Sequence, residues 1–349
     1  MAIATTSLIS MRPFPLPQKS PIEFKGTNRR LLLDGRQCKC MSDSVGTEVT
    51  AKNLGSYRPA VILPGLGNNS SDYQQLASSL EARGVSSVVA KVSRPDWLRN
   101  GAGLLDGNYW KGTLRPRPVL DWYLERIEKA VSEASLLANG RKISLIGHSA
   151  GGWLARVYLA EFGVDRVSLL LTLGTPHLPP PKGVPGVIDQ TRGLLDYVEK
   201  FCPAACYGPQ LKYVCIAGRY LKGERLFENT VKGSTSKMES IAGVNGNLMV
   251  VGNQEDIEGI DNSIYEESLN ESTAPTLRAR FVGQGYKQVC GQADVWGDGV
   301  VPEVSAHLEG AKNIILEGVY HSPIGSNDIS TPWYGSSTIL DKWVHHLLG

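Results

Sequence analysis

Gly147-His148-Ser149-Ala150-Gly151 fits the pattern G-x-S-x-G, and that pattern occurs once in the 349-residue chain. Before it runs Lys142-Ile143-Ser144-Leu145-Ile146, apolar enough for a buried strand; after it Trp153, Leu154, Val157 and Tyr158 recur at helical spacing. The glycines let a strand turn abruptly into a helix, which leaves the Ser149 hydroxyl at the carboxyl edge of a sheet. Glycine fills 38 positions, so the pattern alone is weak, and the strand before it and the helix after it make it specific.

Outward from that turn, short apolar runs alternate with amphipathic ones. The spacing predicts strands over 59–63, 85–92, 142–146, 166–173, 212–217 and 313–319, and helices over 71–83, 117–137, 150–161 and 336–348. Such alternation implies an α/β fold with a mostly parallel central sheet and helices on both faces. Two segments break the rhythm. Residues 178–186 hold four prolines and cannot form a helix. They begin a segment, 178–210, expected to be a lid, whose apolar stretch (Leu194, Leu195, Tyr197, Val198, Phe201) would lie over the site. Residues 222–275 are polar and acidic, with Glu239, Glu255, Asp256, Glu258, Asp261, Glu266, Glu267 and Glu271, and are expected to be a loop insertion.

A serine hydroxyl attacks an ester only with help from a neutral imidazole held in one tautomer by a carboxylate. His321 follows the last predicted strand in Val319-Tyr320-His321-Ser322-Pro323, and Asp298 sits in Gly297-Asp298-Gly299-Val300-Val301-Pro302, so the order is Ser149, Asp298, His321. Asp294 and Asp189 are rival acids. The oxyanion that forms on attack needs preorganised N–H donors. Ala150 N–H, at a helix N-terminus, is one candidate; Leu66 N–H, in Pro64-Gly65-Leu66-Gly67, is the other. His148 is expected to pack beside the turn, His177 to shape the pocket wall, and His307, His345 and His346 to lie on the surface.

Composition narrows the function classes. Net charge is +2, which gives no basic surface for nucleic acid, and no apolar run reaches the ~18 residues that cross a bilayer. The six cysteines include no CxxC pair, and no HExxH occurs, so neither a metal nor a cofactor is expected. Free or buried thiols are the expected state, with a Cys202–Cys206 bond as the alternative. Residues 1–41 carry seven Lys/Arg against two acids, +7 − 2 = +5, and the first acid is Glu23. Such a start, with Thr5, Thr6, Ser7, Ser10 and Ser20, reads as a plastid transit peptide, with a mitochondrial leader or a plain disordered tail as alternatives. The hydrolytic domain is expected over 57–349.

Leu63-Pro64-Gly65-Leu66-Gly67, Ile146 to Gly152, Leu173-Gly174-Thr175-Pro176-His177, Gly297 to Pro302 and Tyr320-His321-Ser322 together resemble lipase-type α/β-hydrolases. The grouping they most resemble includes the GPI inositol-deacylase-like proteins of plants and cyanobacteria. The resemblance implies an α/β-hydrolase fold with a lid insertion and a carboxylic-ester hydrolase that passes through an acyl-enzyme on Ser149. An acyl lipid or other apolar ester is the expected substrate, with peripheral membrane contact as a further expectation. Acyl transfer or thioester cleavage by the same residues, and ligand binding without catalysis, are the alternatives.

Overall fold

The computed structural model describes residues 57–202, 210–226 and 276–348. The proposed leader, Cys206 and most of the acidic insertion lie outside the described residues. In chain order the elements that position the site are β1 (Ala60–Leu63), α1 (Gln74–Glu81), β2 (Ser87–Val89), α2 (Gly107–Lys111), α3 (Asp121–Leu137), β3 (Ile143–His148), α4 (Ala150–Phe162), β4 (Val167–Leu173), α5 (Leu194–Phe201), β5 (Lys212–Arg219), β6 (Leu221–Lys222), α6 (Leu277–Cys290), β7 (Trp296–Gly297), α7 (Glu303–Ala306), β8 (Lys312–Glu317) and α8 (Ser337–Trp343). Six strands form one sheet in the order β2-β1-β3-β4-β5-β8, and every pairing in it is parallel.

Strand alternation divides the core between the two faces. Val61 and Leu63 of β1 and Ile143 and Leu145 of β3 join α3 and α4 in one cluster. Ala60, Ile62 and Ile146 pack instead with Leu76 and Leu80 of α1 and with Ile339, Leu340 and Trp343 of α8. The central strands β1, β3 and β4 are buried along their whole length, which is why they read as continuous apolar runs. The strand expected over 85–92 is shorter, Ser87–Val89, because β2 is an edge paired only with β1.

The chain leaves β5 for the acidic insertion and returns to the same place. β6 and β7 pair antiparallel, Tyr220 N–H donates to Gly297 C=O at 2.8 Å, and Gly223 N–H donates to Val295 C=O at 2.8 Å. This short ladder brings the Asp298 turn back to the carboxyl end of β5, whatever the length of the excursion.

The segment expected to be a lid needs a correction of face. Leu194, Leu195 and Val198 are buried in the same cluster as Trp153 and Leu154 of α4. Leu194, Leu195 and Val198 of α5 therefore face the body of the domain, while Phe201 at its end stays exposed. The buried Arg156 guanidinium binds the segment at both ends, donating to the carbonyls of His177 (3.0 Å) and Cys202 (3.0 and 3.2 Å).

Candidate active site

The end of β3 positions the candidate nucleophile. Ser149 has φ 51° and ψ −124°, a conformation that non-glycine residues rarely adopt and that costs on the order of 1–3 kcal/mol. The surrounding structure enforces it. Ser149 N–H donates to Leu173 C=O of the neighbouring strand at 2.9 Å, and Thr175 Oγ1 donates to Ser149 C=O at 2.9 Å. The flanking glycines are required by close approach. A Cβ at Gly147 would collide with Gly152 Cα, and one at Gly151 with the Leu63 carbonyl. The half-buried Ser149 side chain stands where β3 meets α4, at the carboxyl edge of the sheet.

Asp298 and His321 meet at that same edge. His321 Nδ1 donates to Asp298 Oδ2 at 2.7 Å, with Asp298 fully buried and His321 nearly so. The other acceptor positions of the carboxylate are filled too. Oδ1 accepts from Val300 N–H (3.0 Å) and Val301 N–H (2.7 Å), and Oδ2 accepts from Tyr334 O–H (2.8 Å). His321 N–H donates to Asp298 C=O at 2.9 Å, so the two loops are joined by main chain as well as by side chain. Ser149 Oγ makes no hydrogen bond with any described residue, and His321 Nε2 is likewise left open. Such contacts are often loose before substrate arrives.

The rival acids are occupied elsewhere. Asp189 caps a turn, accepting from Thr191 N–H (2.8 Å) and Gly193 N–H (2.6 Å). Asp294 pairs with Arg225 at 3.0 Å on the surface. Of the two candidate oxyanion donors, neither Leu66 N–H nor Ala150 N–H has a hydrogen-bond partner among the described residues. The β1 loop that carries Leu66 lies against the serine: a Cβ at Gly65 would stand 2.8 Å from Ser149 Cβ.

Over residues 60–232 the chain matches the model of the alpha/beta hydrolase family. The chain has the α/β-hydrolase fold. Similar solved structures include a lipase of Bacillus licheniformis in mature form, 17% identical, covering 87% of this chain and 96% of that one with a TM-score of 0.42. They also include a methylesterase from Arabidopsis (15% identical, 47% and 78% covered, TM-score 0.29) and an esterase from Exiguobacterium antarcticum (14% identical, 47% and 75% covered, TM-score 0.28). No curated protein matches the chain.

Within this α/β-hydrolase fold some of the histidines differ from expectation. His148 does pack beside the turn, fully buried. His177 does not shape a pocket wall. It is fully buried against β4 and β5, with Nε2 against Thr172 Oγ1 at 3.0 Å and Cys215 Sγ at 3.5 Å. Burial, and then the nearby Arg156 charge, holds its pKa well below the usual imidazole range. His307 and His346 are half-buried, not surface residues, and His345 is exposed. Burial pushes the Cys202 and Cys215 thiols up to about 11, so both stay protonated near neutrality. Among the described residues no group of three or more His, Cys, Asp or Glu is placed to hold a metal ion, and no helix is long and apolar enough to cross a membrane.

Sequence reasoning missed Tyr73 and Tyr334. Both reach the site only through the order of strands in the sheet and a loop that follows the last strand, and neither carries a local motif.

Proposed function

We propose that the chain is a serine-dependent carboxylic-ester hydrolase acting on an acyl lipid or another apolar ester. The observation that carries this reading is the buried His321–Asp298 pair, 2.7 Å apart, at the sheet edge where Ser149 is held in a strained turn. Asp298 fixes the Nδ1–H tautomer of His321, which leaves Nε2 as the base. Ser149 Oγ attacks the acyl carbonyl and its proton passes to His321 Nε2. The tetrahedral oxyanion is met by Ala150 N–H and Leu66 N–H. The intermediate then collapses, the alcohol leaves with the proton from His321, and the acyl group stays on Ser149. Water, deprotonated by His321, attacks the acyl-enzyme. The carboxylic acid departs and Ser149 Oγ recovers its proton.

The apolar substrate is supported by Leu66, which leaves 57% of its surface exposed on the loop beside Ser149. Kinship nearest the GPI inositol-deacylase-like hydrolases and import into the chloroplast directed by residues 1–41 belong to the same proposal. They rest on the motifs and on the acid-poor, hydroxyl-rich start.

The test is labelling with a fluorophosphonate probe, together with hydrolysis of p-nitrophenyl esters. The wild type should label and turn over, and Ser149→Ala should do neither, with a loss of about 10⁶ in kcat, as in other serine triads. A Ser149→Ala protein with wild-type turnover would sink the reading. A fluorescent fusion of residues 1–60 that stayed cytosolic would sink the plastid assignment.

A further inference from the structure

A second buried chain of hydrogen bonds crosses the sheet edge, outside the triad. Gly65 N–H donates to Tyr73 Oη at 2.8 Å; Tyr73 Oη lies 2.7 Å from His148 Nδ1; His148 Nε2 lies 2.9 Å from the main-chain carbonyl of His321. The direction of each bond is fixed from the ends. A carbonyl only accepts, so His148 Nε2 carries a proton. An amide N–H only donates, so Tyr73 Oη accepts from Gly65 and gives its own proton to His148 Nδ1. His148 is therefore neutral and in the Nε2–H tautomer. Its surroundings agree: burial first, and the proximity of His321 second, hold its pKa well below the usual imidazole range, and burial pushes the Tyr73 phenol up. The Trp333 ring packs edge-on against both Tyr73 and His148.

The chain links three loops that acyl transfer would need in register. Gly65 belongs to the loop after β1, His148 is the last residue of β3, and His321 follows β8. Because Tyr73 holds the Gly65 amide inward, the next amide, Leu66 N–H, is the one left open beside Ser149. Because His148 holds the His321 carbonyl while Asp298 C=O holds its N–H at 2.9 Å, the base loop is fixed from both sides.

We propose that Tyr73 and His148 are positioning residues that register the oxyanion loop and the base loop about Ser149. This rests on the serine-hydrolase reading above. Displacing reacting groups by about 1 Å can cost on the order of 10²-fold in rate, so loss of the chain should lower kcat far more than it changes KM.

The experiment compares Tyr73→Phe, His148→Asn and His148→Gln with wild type and Ser149→Ala on p-nitrophenyl butyrate. Folding is followed by circular dichroism. Tyr73→Phe keeps the ring but loses the hydroxyl, and kcat should fall by about 10²-fold with KM near wild type. Gln can carry an N–H to about the place of His148 Nε2 and Asn cannot, so His148→Gln should lose much less than His148→Asn. If folded Tyr73→Phe and His148→Asn turn over like wild type while Ser149→Ala is dead, the positioning proposal fails and the triad stands. If Ser149→Ala is active, both fail. A measurement on the wild type does not depend on the variants folding. In ¹⁵N-resolved NMR, His148 should stay neutral with its proton on Nε2 across neutral pH, and a proton on Nδ1 would overturn the proposal.

Discussion

Tyr334 O–H and His321 Nδ1–H converge on one oxygen of Asp298, Oδ2, at 2.8 and 2.7 Å. Tyr334 Oη in turn accepts from Gly218 N–H at 2.8 Å, so a single hydroxyl joins the end of β5 to the acid. Burial, and then the negative Asp298, push the phenol far above its ordinary pKa, which keeps it a donor at any working pH. Tyr334→Phe leaves Gly218 N–H and one acceptor site of Asp298 unfilled. Unfolding by urea should show a loss of ~1–3 kcal/mol. Ester hydrolysis should fall by about tenfold, the lower end for removing a supporting partner of a functional group. A variant as stable as wild type would show that the hydroxyl contributes nothing net.

Three acidic residues competed for one role in the sequence, and the structure separates them. Asp298→Asn should lower kcat by about 10⁴, because an amide at that position favours the wrong imidazole tautomer. Asp294→Asn removes only a surface pair with Arg225, and Asp189→Asn weakens a turn. Both should keep kcat within a few-fold of wild type. Steady-state kinetics of the three variants, each checked for its melting temperature, decide the assignment. A crippled Asp189→Asn or Asp294→Asn protein beside an active Asp298→Asn would overturn it.

How far the sequence could be read follows from where each signal lies. β3, the turn at Ser149 and α4 are contiguous, so their pattern is local and legible. The strands β1, β4 and β5 are buried between neighbours and read as apolar runs. Asp298 is harder, since the acidic insertion separates it from β5 in sequence while the β6–β7 ladder restores it in space. The helix Leu277–Cys290 was missed because its buried side is made of Ala279, Gly283 and Tyr286, a correct helical spacing but with too little apolar bulk to stand out. The 3₁₀ stretch Arg94–Leu105 around Trp97 and the short helix Gly107–Lys111 around Tyr109 were missed for want of any apolar repeat. No local pattern could connect Tyr73 with His148, because only the β1–β3 pairing brings them together.

The Glu128 cluster predicts how stability depends on pH. Its carboxylate accepts from Arg166 (2.9 and 2.5 Å) and Tyr158 O–H (2.6 Å). The Arg166 hydrogen bonds, followed by that of Tyr158, lower its pKa from 4.5 to about 2. A carboxylate depressed in the folded state contributes stability that is fully present above its unfolded value and fades as pH falls toward the folded one. Glu128→Gln should therefore be less stable than wild type at neutral pH, and the gap should close as pH falls from about 4.5 to about 2. The pair is partly exposed, so the effect is small and weakens with salt. Urea midpoints across that range provide the check, and a gap independent of pH would refute it.

The segment 178–202 gives the last prediction. An apolar α5 at the end of a proline-rich arm would suit a cover over a long acyl chain, and replacing its leucines would then penalise long esters selectively. The packing points the other way. Leu194, Leu195 and Val198 contribute to the same core as Trp153 and Leu154, and Arg156 anchors both ends of the segment through backbone carbonyls. Replacing Leu195 with Ala deletes methylenes buried in the core of the domain, so it should cost ~2–5 kcal/mol of stability. Its effect on kcat/KM should be the same for acetyl and octanoyl esters when measured well below the melting temperature. Arg156→Met should also destabilise, since it strips donors from buried carbonyls, and hydrogen exchange should quicken at His177 and Cys202 before it does in β3. A Leu195→Ala protein of normal stability that had lost only its long-chain activity would restore the lid.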